Sequence, residues 1–74
     1  MNDATFQKAQ KIKNDIEHLK CILQVLGRKA VYIRSGHYSE VRLTQDEIEI
    51  LQEVTTKRIE ELNKKFERLG KENE

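Results

Sequence analysis

Apolar side chains recur at Ala9, Ile12, Ile16, Leu19, Leu23 and Leu26, in alternating steps of three and four residues. That spacing lays one narrow stripe along one side of a helix, the seam of helices that pack lengthwise. Phe6 extends the stripe towards the N-terminus, and Ile22 and Val25 widen it near its C-terminal end. Gly27 follows directly, and glycine ends helices because it takes the left-handed conformation at little cost. The pattern predicts a helix over residues 4–26.

A second seam runs through Ile48, Gln52, Thr55, Ile59, Leu62, Phe66 and Leu69, with Leu51 and Val54 broadening its first half. Its start is marked by Thr44-Gln45-Asp46-Glu47, a capping box. In that arrangement the Thr44 hydroxyl accepts from the Glu47 amide, and the Glu47 carboxylate accepts from the Thr44 amide. Leu43 and Ile48 flank the cap as a hydrophobic staple. Asp46, Glu47 and Glu49 occupy the first turns, where the helix dipole favours negative charge. A helix over 45–69 is predicted, closed by Gly70, with residues 70–74 a frayed tail. Glu60 with Lys64, Glu61 with Lys65 and Glu67 with Lys71 are four apart, in the order that favours ion pairs on a solvated face.

Between these helices the period changes to two. Val31, Ile33, Val41 and Leu43 share odd parity, and Tyr32, Arg34, Glu40 and Arg42 share even parity. This predicts a half-buried β-hairpin over 29–43. Residues directly opposite one another must point to the same face, so a two-residue Gly36-His37 turn fails: it sets Ile33 against Glu40. A register centred on His37 sets Ile33 against Val41, Val31 against Leu43, Tyr32 against Arg42 and Arg34 against Glu40, all favourable pairs. The loop then has three to five residues within Ser35–Ser39.

The expected fold is therefore α+β and mostly α. It is a single domain over residues 1–74, an antiparallel helical hairpin carrying a β-hairpin between its helices. Two helices touch along one line only, and Ile22, Val25, Ile50, Leu51 and Val54 spread the apolar surface wider than one partner helix covers. The expected assembly is a homo-oligomeric bundle, a dimer or larger. Its expected contacts are Ile12, Ile16, Leu19, Leu23, Leu51, Ile59, Leu62 and Phe66.

Composition narrows the function. Apolar residues make up 36% of the 74-residue chain and charged residues another 36%, which suits solvated helices. No apolar run reaches the roughly 18 residues of a membrane span, and MNDATFQKAQKIKN lacks the apolar stretch of a secretory signal. With one cysteine there is no disulfide framework, so a reducing cytoplasm is the expected setting. His18 and Cys21, three apart on the first helix, make half a zinc site that neither Asp15 nor Glu17 completes, so no metal is expected. Cys21 has no third group to orient His18 as its base, and a short loop gives Ser35, His37 and Ser39 no preorganised triad. Neither an enzyme nor a cofactor is expected.

Charge is uneven. Lysine and arginine total 14 against 13 acidic residues, yet residues 27–43 hold Arg28, Lys29, Arg34 and Arg42 against Glu40 alone. The hairpin thus offers Arg28, Arg34, Arg42, Tyr32, Tyr38 and His37 as candidate ligand-binding residues, with donors for phosphate and rings for stacking. The same cations also serve simply to keep an exposed sheet edge soluble and unpaired. Duplex DNA is the weaker expectation, because residues 44–74 carry six basic and nine acidic groups and leave no broad basic footprint.

The run KIKNDIEHLKCILQVLGRKAVYIRSGHYSEVRLTQDEIEILQEVTTKRIEELNKKFERL is similar to small proteins encoded by phages and mobile elements of low-GC bacteria. These share an amphipathic helix, a Tyr- and Ile-rich strand pair and a capped Glu/Lys-rich helix. The resemblance implies an accessory or anti-defence factor that works by binding, in the host cytoplasm if phage-encoded. The expected function is a non-enzymatic homo-oligomeric module that sequesters or blocks a partner, most specifically an anionic nucleotide-type ligand at the hairpin. The alternatives are a protein–protein inhibitor or adaptor presenting helix faces, and nucleic-acid binding through the hairpins.

Overall fold

A computed structural model describes residues 2–36 and 39–72. Helix α1 (Asp3–Leu26) leads into strands β1 (Tyr32–Ser35) and β2 (Ser39–Arg42), and helix α2 (Gln45–Glu72) follows. The fold is mostly helical, with a two-stranded antiparallel hairpin between two helices.

Helix α1 begins one residue earlier than its apolar stripe suggests. Asn2 is its N-cap: the Thr5 amide donates to Asn2 Oδ1 at 2.8 Å. At the other end Gly27 stops the helix without the left-handed turn expected of it. Its φ of −79° and ψ of −2° are right-handed. The Gly27 and Arg28 amides instead donate to the Leu23 and Val25 carbonyls, each at 3.1 Å, a tightened last turn that any residue can make. At α2 both halves of the capping box are present. The Thr44 amide donates to Glu47 Oε1 at 2.9 Å, and the Glu47 amide donates to Thr44 Oγ1 at 3.2 Å. Helix α2 does not stop at Gly70 but runs through it to Glu72. An interior glycine costs about 1 kcal/mol relative to alanine, which weakens a helix without ending it.

The strand register is Tyr32 with Arg42, Ile33 with Val41, Arg34 with Glu40 and Ser35 with Ser39. The Leu43 amide donates to the Val31 carbonyl at 2.8 Å, carrying the same register one pair further towards the helices. Three residues, 36–38, connect the strands, and Gly36 enters that loop at φ +57°, a left-handed position suited to glycine.

The best-packed region lies where hairpin and helices meet. Leu26, Val31, Leu43 and Ile48 form one buried cluster with Ile22 against it, so the staple residues on either side of the cap reach across to the end of α1. Further along, Ala9 and Ile16 of α1 and Thr55 and Leu62 of α2 are buried. Thr55 satisfies its hydroxyl by donating to the Leu51 carbonyl at 2.6 Å, which is how a polar residue sits on the seam. Among the described residues no side chain is completely buried.

Shape explains this. The chain measures 49 × 25 × 13 Å, and 13 Å is the thickness of one helix with its side chains. Its radius of gyration is 16.2 Å, where a compact chain of this length would have about 11 Å. Compact domains stack at least two layers around a core, and this chain has one. Among the described residues no helix is long and apolar enough to cross a membrane.

Candidate functional site

The hairpin reaches past the ends of the helices, and every described residue of both strands is exposed. Parity gives its two faces different characters. On the odd face Val31 and Leu43 are buried against the helices, but the next pair, Ile33 and Val41, is 55% and 61% exposed. On the even face lie Tyr32 with Arg42 and Arg34 with Glu40. Because Val31 and Leu43 form a hydrogen-bonded pair, Tyr32 and Arg42 form the next, non-hydrogen-bonded pair, in which side chains stand closest. An arginine beside a tyrosine ring is suited to stack on it or to share an anion with it. Glu40 stands opposite Arg34 in the register, yet among the described residues no ion pair joins the two side chains.

Arg42 has a second neighbourhood. With Lys29, Thr44 and Gln45 it borders an open hollow over the first turn of α2, floored by Leu43 and Ile48. Arg28 is exposed in the turn after α1. His37 and Tyr38, the remaining hairpin candidates, lie outside the described residues. The hairpin therefore brings Tyr32, Arg34 and Arg42 to one exposed face without enclosing them.

The residues expected at an oligomer contact divide in two. Ile16 and Leu62 are buried, and Ile12, Leu19, Leu23 and Ile59 are half-buried, where α1 and α2 of the same chain meet. Leu51 and Phe66 remain exposed. Beside Leu51 on α2, Ile50 and Val54 are likewise open to solvent at 60% and 59% exposure, and on α1 Val25 is 44% exposed.

A second charged region has no counterpart in the sequence reading. Along one side of the α1–α2 contact an open groove of about 370 Å³ is bordered by Lys8 and Lys11 of α1 and Arg58, Lys65 and Arg68 of α2. Its floor holds Ile12, Leu62 and Leu69, and Asp15 is its one lining carboxylate. Arg58 pairs with Glu61 at 3.1 Å, whereas among the described residues Lys8, Lys11, Lys65 and Arg68 have no ion-pair partner. Glu61 thus pairs with Arg58 and not with Lys65 as its spacing suggested, and the Glu60–Lys64 and Glu67–Lys71 pairs are not formed. Exposed pairs are worth at most about 1 kcal/mol, too little to dictate one rotamer over another. The groove was hidden because its two walls lie at opposite ends of the chain. Its only local trace is the spacing of Arg58, Lys65 and Arg68 along one helix edge.

Cys21 is exposed, and among the described residues no group of three or more His, Cys, Asp or Glu is placed to hold a metal ion. No protein-family model, curated protein or solved structure matches this chain.

Proposed function

We propose that this protein is a non-enzymatic, homo-oligomeric binding module that sequesters an anionic, nucleotide-type ligand on the hairpin. The observation that carries the ligand reading is the strand register, which puts Tyr32 beside Arg42, and Arg34 beyond them, on the ribbon face turned away from the core. Phosphate oxygens accept from the guanidinium groups while a base stacks on the ring. A two-stranded ribbon encloses nothing, so the site is completed by a neighbouring copy. Self-association is supported by surface area. The protomer exposes 6345 Å², where a compact chain of its mass exposes about 4,800 Å².

Calorimetric titration with linear and cyclic nucleotides, alongside native mass spectrometry of the untreated protein, tests the reading. At least one nucleotide should bind below millimolar to a dimer or larger species. Charged hydrogen bonds are worth about 1.5–3 kcal/mol, so Arg42→Ala should weaken that binding roughly ten- to a hundredfold. If no nucleotide binds, the ligand assignment fails. If binding persists in Arg34→Ala/Arg42→Ala, the ligand sits away from the hairpin.

The exposed Ile50, Leu51 and Val54 favour a second reading, an adaptor that docks another protein on α2. Capture of a heterologous partner by a monomeric chain would select it.

A further inference from the structure

The hairpin is a sheet of two strands, and among the described residues no third strand joins it. Hydrogen bonds alternate along an antiparallel pair, so the neighbours of a residue that bonds inward present their amides and carbonyls outward. Val31 and Leu43 bond inward, and by alternation so do Ile33 with Val41 and Ser35 with Ser39. The outward groups are then those of Tyr32 and Arg34 on β1 and of Glu40 and Arg42 on β2. All four residues are exposed, and such an edge is a template for another strand. A second copy of this chain carries the same edge.

Two identical edges can join in few ways. Their faces match only when the strands run antiparallel about a two-fold axis normal to the sheet. On β1 only the even positions have outward groups, so even must oppose even. Setting Arg34 against Arg34 of the partner subunit places like charges opposite one another, which is destabilising. Setting Tyr32 against Tyr32 of the partner subunit draws on Ala30, which lies outside the strand. Setting Tyr32 against Arg34 of the partner subunit uses strand residues alone and closes four backbone hydrogen bonds. Ile33 then stands on the axis, facing Ile33 of the partner subunit.

The side chains agree with that register. On the even face Tyr32 has Arg42 on one side and Arg34 of the partner subunit on the other, a ring between two guanidinium groups. The two-fold repeats the row, so four guanidinium groups and two rings share a sheet about 14 Å wide. On the odd face Val41 and Ile33, both exposed in a single copy, continue into Ile33 and Val41 of the partner subunit as one apolar row. Val31 of the partner subunit falls opposite Ser35, so the row lies between the two buried clusters and joins them. Joining through β2 would instead set Glu40 of the partner subunit against Arg42 and neutralise the charge an anion needs.

We propose that two copies join edge to edge through β1, Tyr32 against Arg34 of the partner subunit, as one four-stranded antiparallel sheet that completes the anion site. This rests on the homo-oligomeric reading above and names its contact. The hairpins meet at the centre of the dimer, and the joined even face stays open to ligand.

The residue on the axis tests it. In a Cys21→Ser background, which removes the exposed native thiol, Ile33→Cys brings two thiols face to face. The Cα atoms of such a non-hydrogen-bonded pair stand about 4.5 Å apart, within disulfide range. Oxidised glutathione should therefore link Ile33→Cys into a covalent dimer roughly tenfold faster than Val41→Cys, which is similarly exposed but one strand further out. Ile33→Lys sets two ammonium groups against each other and should weaken self-association roughly tenfold by sedimentation, with helical circular dichroism unchanged. Val41→Lys should weaken it less. Should Ile33→Lys not fold, the cysteine variants decide alone. Faster linkage at Val41 would give the contact to β2 and overturn the proposal. A wild-type dimer in which neither position links overturns the contact while the oligomeric reading stands. A monomeric wild type overturns both. Nucleotide enters none of these readouts, so failure of the ligand assignment shows separately, in the titration above.

Discussion

Thr44 and Glu47 hold each other at the start of α2 through two reciprocal hydrogen bonds, 2.9 Å from the Thr44 amide and 3.2 Å from the Glu47 amide. They close the junction between hairpin and helix, with Leu43 buried before the cap and Ile48 after it. Replacing Thr44 by alanine removes one acceptor and leaves a helix amide without an intramolecular partner. The expected loss is about 1 kcal/mol, read as a lower urea midpoint at unchanged slope.

The same pair makes stability depend on pH. The bond from the Thr44 backbone amide, and then that with the Thr44 side chain, hold the Glu47 carboxyl below its ordinary value of 4.5. The folded chain therefore binds this proton less readily than the unfolded chain. The contribution is complete above pH 4.5 and is lost as pH falls through the lowered folded value. Glu47→Gln keeps a side chain able to reach the Thr44 amide but removes the titration. Comparing melts of the two proteins between pH 7 and pH 3, the wild type should fall further.

Leu62 is the most buried side chain described, at 3% exposure. Leu62→Ala should cost about 2–5 kcal/mol, because it leaves a cavity between the helices as well as losing transfer energy. For a one-layer chain that is enough to abolish a cooperative thermal melt. Phe66→Ala, at a position 43% exposed, should cost markedly less in the same experiment.

At Gly36 the backbone is left-handed, and a Cβ added there would meet nothing within 4 Å. Any penalty for substitution is thus conformational and not steric crowding. Gly36→Ala should cost about 1–2 kcal/mol, and Gly36→Asn less, since asparagine enters this region more readily. Chemical denaturation of both variants separates the two explanations.

Elements and register were legible because they rest on local chemistry: the capping box fixes one boundary, and parity around His37 leaves one acceptable strand pairing. What parity does not reveal is how far a face is covered. Ile33 and Val41 share the face of Val31 and Leu43, yet they lie beyond the helix ends and stay exposed. Gly27 and Gly70 were read from residue type alone. One ends its helix in a right-handed conformation and the other lies inside a helix, because hydrogen bonding and chain continuation, not identity, decide what a glycine does. Tyr32, Arg34 and Arg42 could be placed on one face from sequence. The groove of Lys8, Lys11, Lys65 and Arg68 could not, because its walls meet only when the helices pack.

The strand pairs, the contact of Leu26 with Ile48 and the apposition of Ile12 and Leu62 across the groove share one midpoint, residue 37. Tertiary contacts are therefore nested one inside another, as in a zip fastener. Once the strands have paired, each helix contact closes only the short remaining stretch beyond its inner neighbour, because the entropy of closing the larger loop has already been lost. Assembly in that order starts where Tyr32–Ser35 pairs with Ser39–Arg42 and travels outward, so the far ends of α1 and α2 are the last to meet.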